Sequence, residues 1–143
     1  SCRFFTASHE TLIWARKDKN AKHYFDYKAM KEGSFPNDFI KKPDLQMRSV
    51  WAIHPPKNEE KKYGKHPTQK PLELLKRVIL ASTGKDAIIL DPFCGSSTTG
   101  IASTMLGDRK FIGIEFDEQY ITTAISRYND LNKIKDSQLT LIK

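Results

Sequence analysis

The feature that most restricts the fold of this 143-residue chain is the order of hydrophobic patterns after residue 70. Pro71 to Leu80 places apolar residues at helical spacing behind an initial proline, and the pattern stops near Gly84. Ala87-Ile88-Ile89-Leu90 is a continuous apolar run, too short for a helix and typical of a strand covered on both faces. A glycine-containing turn follows. Helical spacing then runs from Thr98 to Leu106 and ends at Gly107, Lys110 to Ile114 forms a second buried strand, and a third helix spans Glu118 to about Leu131. The apolar face of that last helix is Tyr120, Ile121, Ala124, Ile125 and Tyr128. Strand, turn, helix, strand, helix is a βαβα unit, which implies an α/β protein with a parallel, doubly wound sheet.

The residues before position 66 are patterned differently. Thr11 to Arg16 is a short apolar and β-branched run ending in charge, which predicts a strand. From Asp18 to Lys65, sustained periodicity is lost, and Gly33, Gly64, Pro36, Pro43, Pro55 and Pro56 punctuate an irregular insertion of loops and short elements rather than a core. Most of the net charge of +7 lies here: Lys17 to Lys65 holds eleven Lys and one Arg against seven Asp and Glu. Tyr24, Phe25, Tyr27, Phe35, Phe39, Trp51 and Tyr63 are interleaved with these cations. A phosphate-tracking surface with stacking capacity has this composition, and so does an ordinary solvated face.

Other classes are less favoured. No apolar run approaches the roughly 20 residues of a membrane span. The first residues, Ser1-Cys2-Arg3-Phe4-Phe5, lack a secretory leader pattern, so the cytoplasm is the expected compartment. Cys2 and Cys94 belong to no metal-ligand or disulfide spacing and are expected as free thiols, and His9, His23, His54 and His66 are scattered, so no metal is expected.

The turn after the first buried strand, Asp91-Pro92-Phe93-Cys94-Gly95-Ser96-Ser97-Thr98-Thr99-Gly100, carries the first chemical signal. Its glycine permits close backbone approach, and the next helix presents unpaired N–H groups at the carboxyl edge of the sheet, where open α/β folds bind ligands. The spacing matches neither the six-residue dinucleotide fingerprint nor a P-loop. Glu115 ends the second strand about 20 residues after Gly95, where a carboxylate can accept both ribose hydroxyl protons. An acid capping the following helix is the competing reading, and Asp117 fits that as well. Before the first helix, His66-Pro67-Thr68-Gln69-Lys70-Pro71 combines a rigid approach with donors suited to a carboxylate.

Taken in order, the hexapeptide HPTQKP, a helix, DPFCGSSTTG and GIEFDEQY at Gly113 to Tyr120 resemble the motifs of the circularly permuted amino-methyltransferases of restriction-modification systems. Ser8 to Trp14 is similar to a late strand of that family's catalytic domain, and Gln46 to Trp51 to a segment of its target-recognition region, so the resemblance covers nearly the whole chain. It implies a partial Rossmann-like methyltransferase sheet with an irregular DNA-recognition insertion. Residues 1–17 would end the catalytic-domain sheet, 18–65 would recognise DNA, and 66–143 would bind S-adenosylmethionine. By this resemblance His66, Thr68 and Lys70 face the cofactor's amino-acid end. Asp91, Phe93, Gly95, Ser96, Ser97 and Thr98 line its methionine and ribose portion. Glu115 takes the ribose hydroxyls, with Phe116 beside the adenine or, alternatively, in the core. Arg48, Lys61 and Lys62 are the candidate contacts to double-stranded DNA, Arg48 to a guanine edge or to a phosphate.

Two departures stand out. The family usually has glycine at the position of Ser97, and serine takes a positive φ less cheaply. The catalytic tetrapeptide of the family, Asp, Asn or Ser followed by Pro-Pro and an aromatic, has no counterpart, because the single Pro-Pro pair, Pro55-Pro56, lies between His54 and Lys57. No catalytic residue is therefore assigned within the chain. The expectation is the C-terminal half to two-thirds of a longer enzyme acting on an exocyclic amine, adenine before cytosine, completed by an N-terminal catalytic-motif chain or by a second copy. Strands that lose neighbours seek another chain. A non-catalytic cofactor- or DNA-binding fragment is the alternative.

Overall fold

The computed structural model describes residues 3, 5, 6, 8–64 and 66–140, with side chains as far as residue 133. Cys2, Lys65 and residues 141–143 lie outside the described residues. In chain order the elements are α1 (Tyr27–Glu32), a single 3-10 turn (Glu59–Lys61), α2 (Leu72–Ser82), β1 (Ile88–Asp91), α3 (Thr98–Leu106), β2 (Lys110–Gly113) and α4 (Glu118–Thr140). The strands pair in parallel, Ile88 opposite Lys110 and Asp91 opposite Gly113. The βαβα order read from the sequence is therefore present, and α3 has the predicted limits. Pro71 stands at the N-cap of α2 with extended backbone, where its missing N–H costs no helical hydrogen bond.

The interior is the contact between α2 and α3. Helices α2 and α3 pack together, with Ile79 and Ala81 of α2 and Ile101 and Ala102 of α3 all buried. At Gly100 a Cβ would collide with the Tyr128 hydroxyl and the Phe111 ring, so glycine is what allows α4 and β2 to close on α3. None of the described helices is long and apolar enough to cross a membrane.

Four expectations are corrected. Thr11 to Arg16 is not a strand; Ile13 is 90 % exposed, because β-propensity forms no strand without a backbone partner, and β1 and β2 pair only with each other among the described residues. The strands are not covered on both faces. Ile88 (66 % exposed), Leu90 (60 %) and Ile112 (52 %) share an open face, since α3 covers the sheet on the side of Ile89 and Phe111 alone. Helix α4 continues past Leu131 because no glycine or proline stops it, and it packs through Thr123 and Arg127 while Ile121 and Ile125 stay exposed. The insertion, although largely irregular, contributes Met30 and Asp38 to the buried interior.

Arg77 of α2 explains that last point. Its guanidinium is fully buried and donates to Asp38 Oδ2 at 2.5 Å and to Glu73 Oε1 at 3.3 Å, and it packs 4.8 Å from the Phe35 ring and 5.0 Å from that of Trp51. Asp38 also accepts from the backbone N–H groups of Ile40 and Ala52. Burial alone would raise the Asp38 pKa, but the Arg77 guanidinium and those two N–H groups outweigh it, leaving the carboxyl below the ordinary aspartate value. A depressed folded pKa gives stability that is present above the unfolded value and lost as pH falls through the folded one.

Two outcomes are expected. Asp38→Asn leaves Arg77 buried without its counter-charge and lowers unfolding free energy by about 3–5 kcal/mol in denaturant titrations at neutral pH; the deficit relative to wild type narrows below about pH 4, as the wild-type carboxylate protonates. Ser97, the N-cap of α3, adopts the left-handed conformation with φ 60°. That costs a non-glycine residue about 1–2 kcal/mol, against roughly 0.5–1 kcal/mol of extra chain entropy for glycine. Ser97→Gly should therefore raise the thermal midpoint by about 3 °C, and a lower midpoint would refute the strain.

Candidate functional site

The turn from Asp91 to Thr98 continues from β1 at the carboxyl edge of the sheet. Pairing with the end of β2 extends into it, for the Asp91 carbonyl accepts from Ile114 N–H and Cys94 N–H donates to the Ile114 carbonyl, both at 2.9 Å. Asp91 then bridges the turn with its two carboxylate oxygens. Oδ1 accepts from Phe93 N–H at 3.2 Å, and Oδ2 accepts from the Thr99 hydroxyl at 2.6 Å. The strand end is thus tied to the first turn of α3.

Gly95 has φ +52°, and a Cβ there would lie 3.2 Å from His66 Nε2. Its N–H donates to Glu115 Oε2 at 2.7 Å, while Glu115 Oε1 accepts from the N–H groups of Phe116 and Asp117, both at 2.9 Å. The Asp117 hydrogen bond, followed by those of Gly95 and Phe116 and the charge of His66, outweighs desolvation and holds the Glu115 pKa below the ordinary glutamate range. A carboxylate offers about four acceptor sites, so Glu115 secures the loop and retains capacity for a ligand hydroxyl. Helix capping falls to Asp117, whose Oδ1 accepts from Gln119 N–H at 2.8 Å.

The hexapeptide docks on this turn. Ser96 Oγ donates to Gln69 Oε1 at 3.2 Å, and Gln69 Nε2 donates to the Glu60 carbonyl at 3.0 Å. The His66 ring lies 4.1 Å from that of Tyr120, its Nδ1 accepts from Thr68 N–H at 3.2 Å, and its Nε2 edge faces Gly95. Lys70 is turned to Glu10, with Nζ 2.6 Å from Oε2 in an exposed ion pair. Phe93 and Phe116 are both solvent-exposed on the rim, and Phe116, 100 % exposed, is not a core residue. The Cys94 thiol is pushed up in pKa by burial and by the nearby Asp91 and Glu115 charges, which makes it a poor nucleophile.

The structure therefore brings together His66, Asp91, Gly95, Ser96, Ser97 and Glu115, with Thr98 at the head of α3. The candidate DNA contacts lie elsewhere. Arg48 is exposed beside a small cleft that Lys41, Lys42 and Gln46 also line, and its carbonyl accepts from Trp51 Nε1 at 2.7 Å. Lys61 ends the 3-10 turn, and Lys62 pairs with Asp130 of α4 at 2.7 Å. Sequence reasoning passed over Gln69, Glu10 and Arg127. Arg127 lies beneath the turn and donates from Nη1 to the Ser96 carbonyl at 2.5 Å and to the Ser96 and Thr98 hydroxyls at 3.1 Å. Its signal was the i, i+3, i+7 spacing of Tyr120, Thr123 and Arg127, hidden because an arginine on a polar helix suggests solvent.

A family model described as DNA methylase, of the N6/N4 type, matches residues 1–126. The chain is 46 % identical over 134 residues to the Type II methyltransferase M2.MboI of Moraxella bovis, covering 94 % of this chain and 46 % of that protein. It is 51 % identical over 130 residues to the Type II methyltransferase M2.LlaDCHI of Lactococcus lactis subsp. cremoris, covering 90 % and 45 % respectively. Among solved structures, the M1.HpyAVI–SAM complex is similar with a TM-score of 0.54 and 37 % identity, over 78 % of this chain and 46 % of that one. The chain spans about half the length of the curated relatives it matches. With a glycine turn, a strand-end glutamate and a docked hexapeptide already in register, that match over residues 1–126 means that the chain belongs to the N6/N4 DNA methylase family.

Proposed function

We propose that these 143 residues supply the S-adenosylmethionine pocket and a DNA-facing region to a cytoplasmic DNA amino-methyltransferase of a restriction-modification system, with the adenine amino group as the preferred target. The observation that carries this reading is the convergence of two motifs far apart in sequence: Ser96 of the turn is hydrogen-bonded to Gln69 of the hexapeptide, while Glu115 grips Gly95 from the end of β2.

The residues suit the cofactor. The cradle lacks a side chain at Gly95, α3 directs its N-terminus at it, and Glu115, with three of about four acceptor sites taken, keeps capacity for one ribose hydroxyl. In this reading Asp91, Phe93, Gly95, Ser96, Ser97 and Thr98 line the pocket, and Phe116 offers an exposed ring to the adenine. His66, Thr68 and Lys70 serve the amino-acid end; the pairing of Lys70 with Glu10 supports its capacity to receive a carboxylate. Once bound, the cofactor contributes an electrophilic sulfonium methyl. Residues 18–65 are the DNA-recognition region, where Arg48 is free to meet a base edge or phosphate, and Lys61 and Lys62 lie at its far end.

Methyl transfer also needs the acceptors that hold the target amine, and no Pro-Pro-aromatic sequence is present. In our reading these come from residues outside the 143, in the same polypeptide or a second one. The open apolar face of β1 and β2 supports that view, because a parallel pair is normally buried on both faces.

Calorimetric titration with S-adenosylmethionine should show saturable binding to the chain, weakened at least about tenfold by Asp91→Ala or Glu115→Ala, each of which removes charge-assisted hydrogen bonds. Because the Glu115 pKa is lowered, its contribution to affinity should be present above, and lost only as pH falls below, the point at which an ordinary glutamate would protonate, as a pH series of the same titration would show. A folded chain that takes up no cofactor would overturn the pocket. Separately, the isolated chain should self-associate and bind a hydrophobic dye, and Leu90→Lys should abolish both; a dye-negative wild-type monomer by sedimentation would remove the case for missing strands.

A further inference from the structure

Arg127 is costly where it stands. It is 8 % exposed, and none of its partners among the described residues is a carboxylate within ion-pair distance. Glu60 acts on it only through space, and the Glu60 carboxylate is engaged by the N–H groups of Lys57 and Leu72. A guanidinium desolvated for neutral acceptors adds little to stability compared with an apolar side chain of the same shape. What it does supply is direction. Nη1 alone faces the Ser96 carbonyl, the Ser96 hydroxyl and the Thr98 hydroxyl.

Those acceptors belong to the residues between and beside two left-handed positions, Gly95 at φ 52° and Ser97 at φ 60°. Left-handed backbone at a serine persists only where its surroundings over-determine it. Glu115 fixes this stretch from one side through Gly95 N–H, and Arg127 fixes it from the other through the Ser96 carbonyl. Both come from the single stretch that leaves β2 and enters α4. Gln69 meets the same Ser96 hydroxyl that Arg127 meets, so the hexapeptide is held to the turn through one shared group.

We propose that Arg127 is a positioning residue for the cofactor turn: from beneath the pocket it locks the Gly95–Thr98 turn, with Gly95 and Ser97 in the left-handed form, so that affinity for S-adenosylmethionine depends on α4. The proposal rests on the reading of this turn as the cofactor site. Arg127 acts through Ser96 and Thr98.

The test compares Arg127→Met and Arg127→Lys, each alone and combined with Ser97→Gly, in the whole chain. Two readouts are taken, calorimetric binding of S-adenosylmethionine and hydrogen exchange of the backbone amides. Arg127→Met should weaken binding at least about tenfold and speed exchange at Gly95 and Ser97 while the amides of α2 stay protected. Arg127→Lys, which keeps the charge but not the planar fork, should fall between. Adding Ser97→Gly to Arg127→Met should recover part of the loss, because glycine holds the left-handed form without support. Unchanged affinity in Arg127→Met would overturn the proposal, as would loss of protection spread equally over α2, or a binding defect that Ser97→Gly does not relieve. If the wild-type chain takes up no S-adenosylmethionine, the pocket reading fails and exchange decides alone: turn amides quickened by Arg127→Lys support the clamp, and unchanged ones refute it.

Discussion

Everything that distinguishes this fold from a generic pair of strands and helices depends on how the backbone between β1 and α3 is held. That stretch must leave a strand, pass through two left-handed residues and start a helix within a few positions, which leaves several of its peptide groups, such as Gly95 N–H and the Ser96 carbonyl, without backbone partners. Charged side chains supply them. Asp91 serves the N–H of Phe93 and the hydroxyl of Thr99, Glu115 the N–H of Gly95, and Arg127 the carbonyl of Ser96. Acids take the donors and a base takes the acceptors, so the polarity of the clamps follows the polarity of the groups they meet.

A second buried guanidinium joins the insertion to this scaffold. Arg77 of α2 ends among Asp38, Phe35 and Trp51, all from the irregular stretch. The insertion contains little regular structure of its own, yet its backbone is tied to α2 again through the hydrogen bond from Asp26 N–H to the Ala81 carbonyl. The same helix thereby packs against α3, whose first residues form the pocket, and orients the segment bearing Arg48.

How much of this was legible in the sequence follows from which forces act locally. The limits of α3 were readable because Thr98 begins helical spacing and Gly107 ends it. The turn was readable from its glycine, and Ser97 was flagged for the conformation it adopts. Thr11 to Arg16 misled because a strand is a property of two backbones, and only one was in view. The open faces of Ile88 and Ile112 escaped notice for a related reason: an apolar run records the burial a residue is suited to, not whether a covering layer is at hand. Arg127 was missed because its partners are a carbonyl and two hydroxyls, which leave no charge complement in the sequence to find.

The uncovered side of the sheet bears on the colloidal behaviour of the chain. Ile88, Leu90 and Ile112 offer a sticky surface, while the net charge of +7 makes copies repel one another. That repulsion reaches about 10 Å at 0.1 M salt but only about 3 Å at 1 M, whereas apolar attraction does not fade with ionic strength. Concentrated salt, which usually serves to strip nucleic acid from a basic protein, thus removes the barrier that keeps these faces apart. Solubility and freedom from bound nucleic acid pull in opposite directions for this chain, and the balance shifts when its sheet is covered.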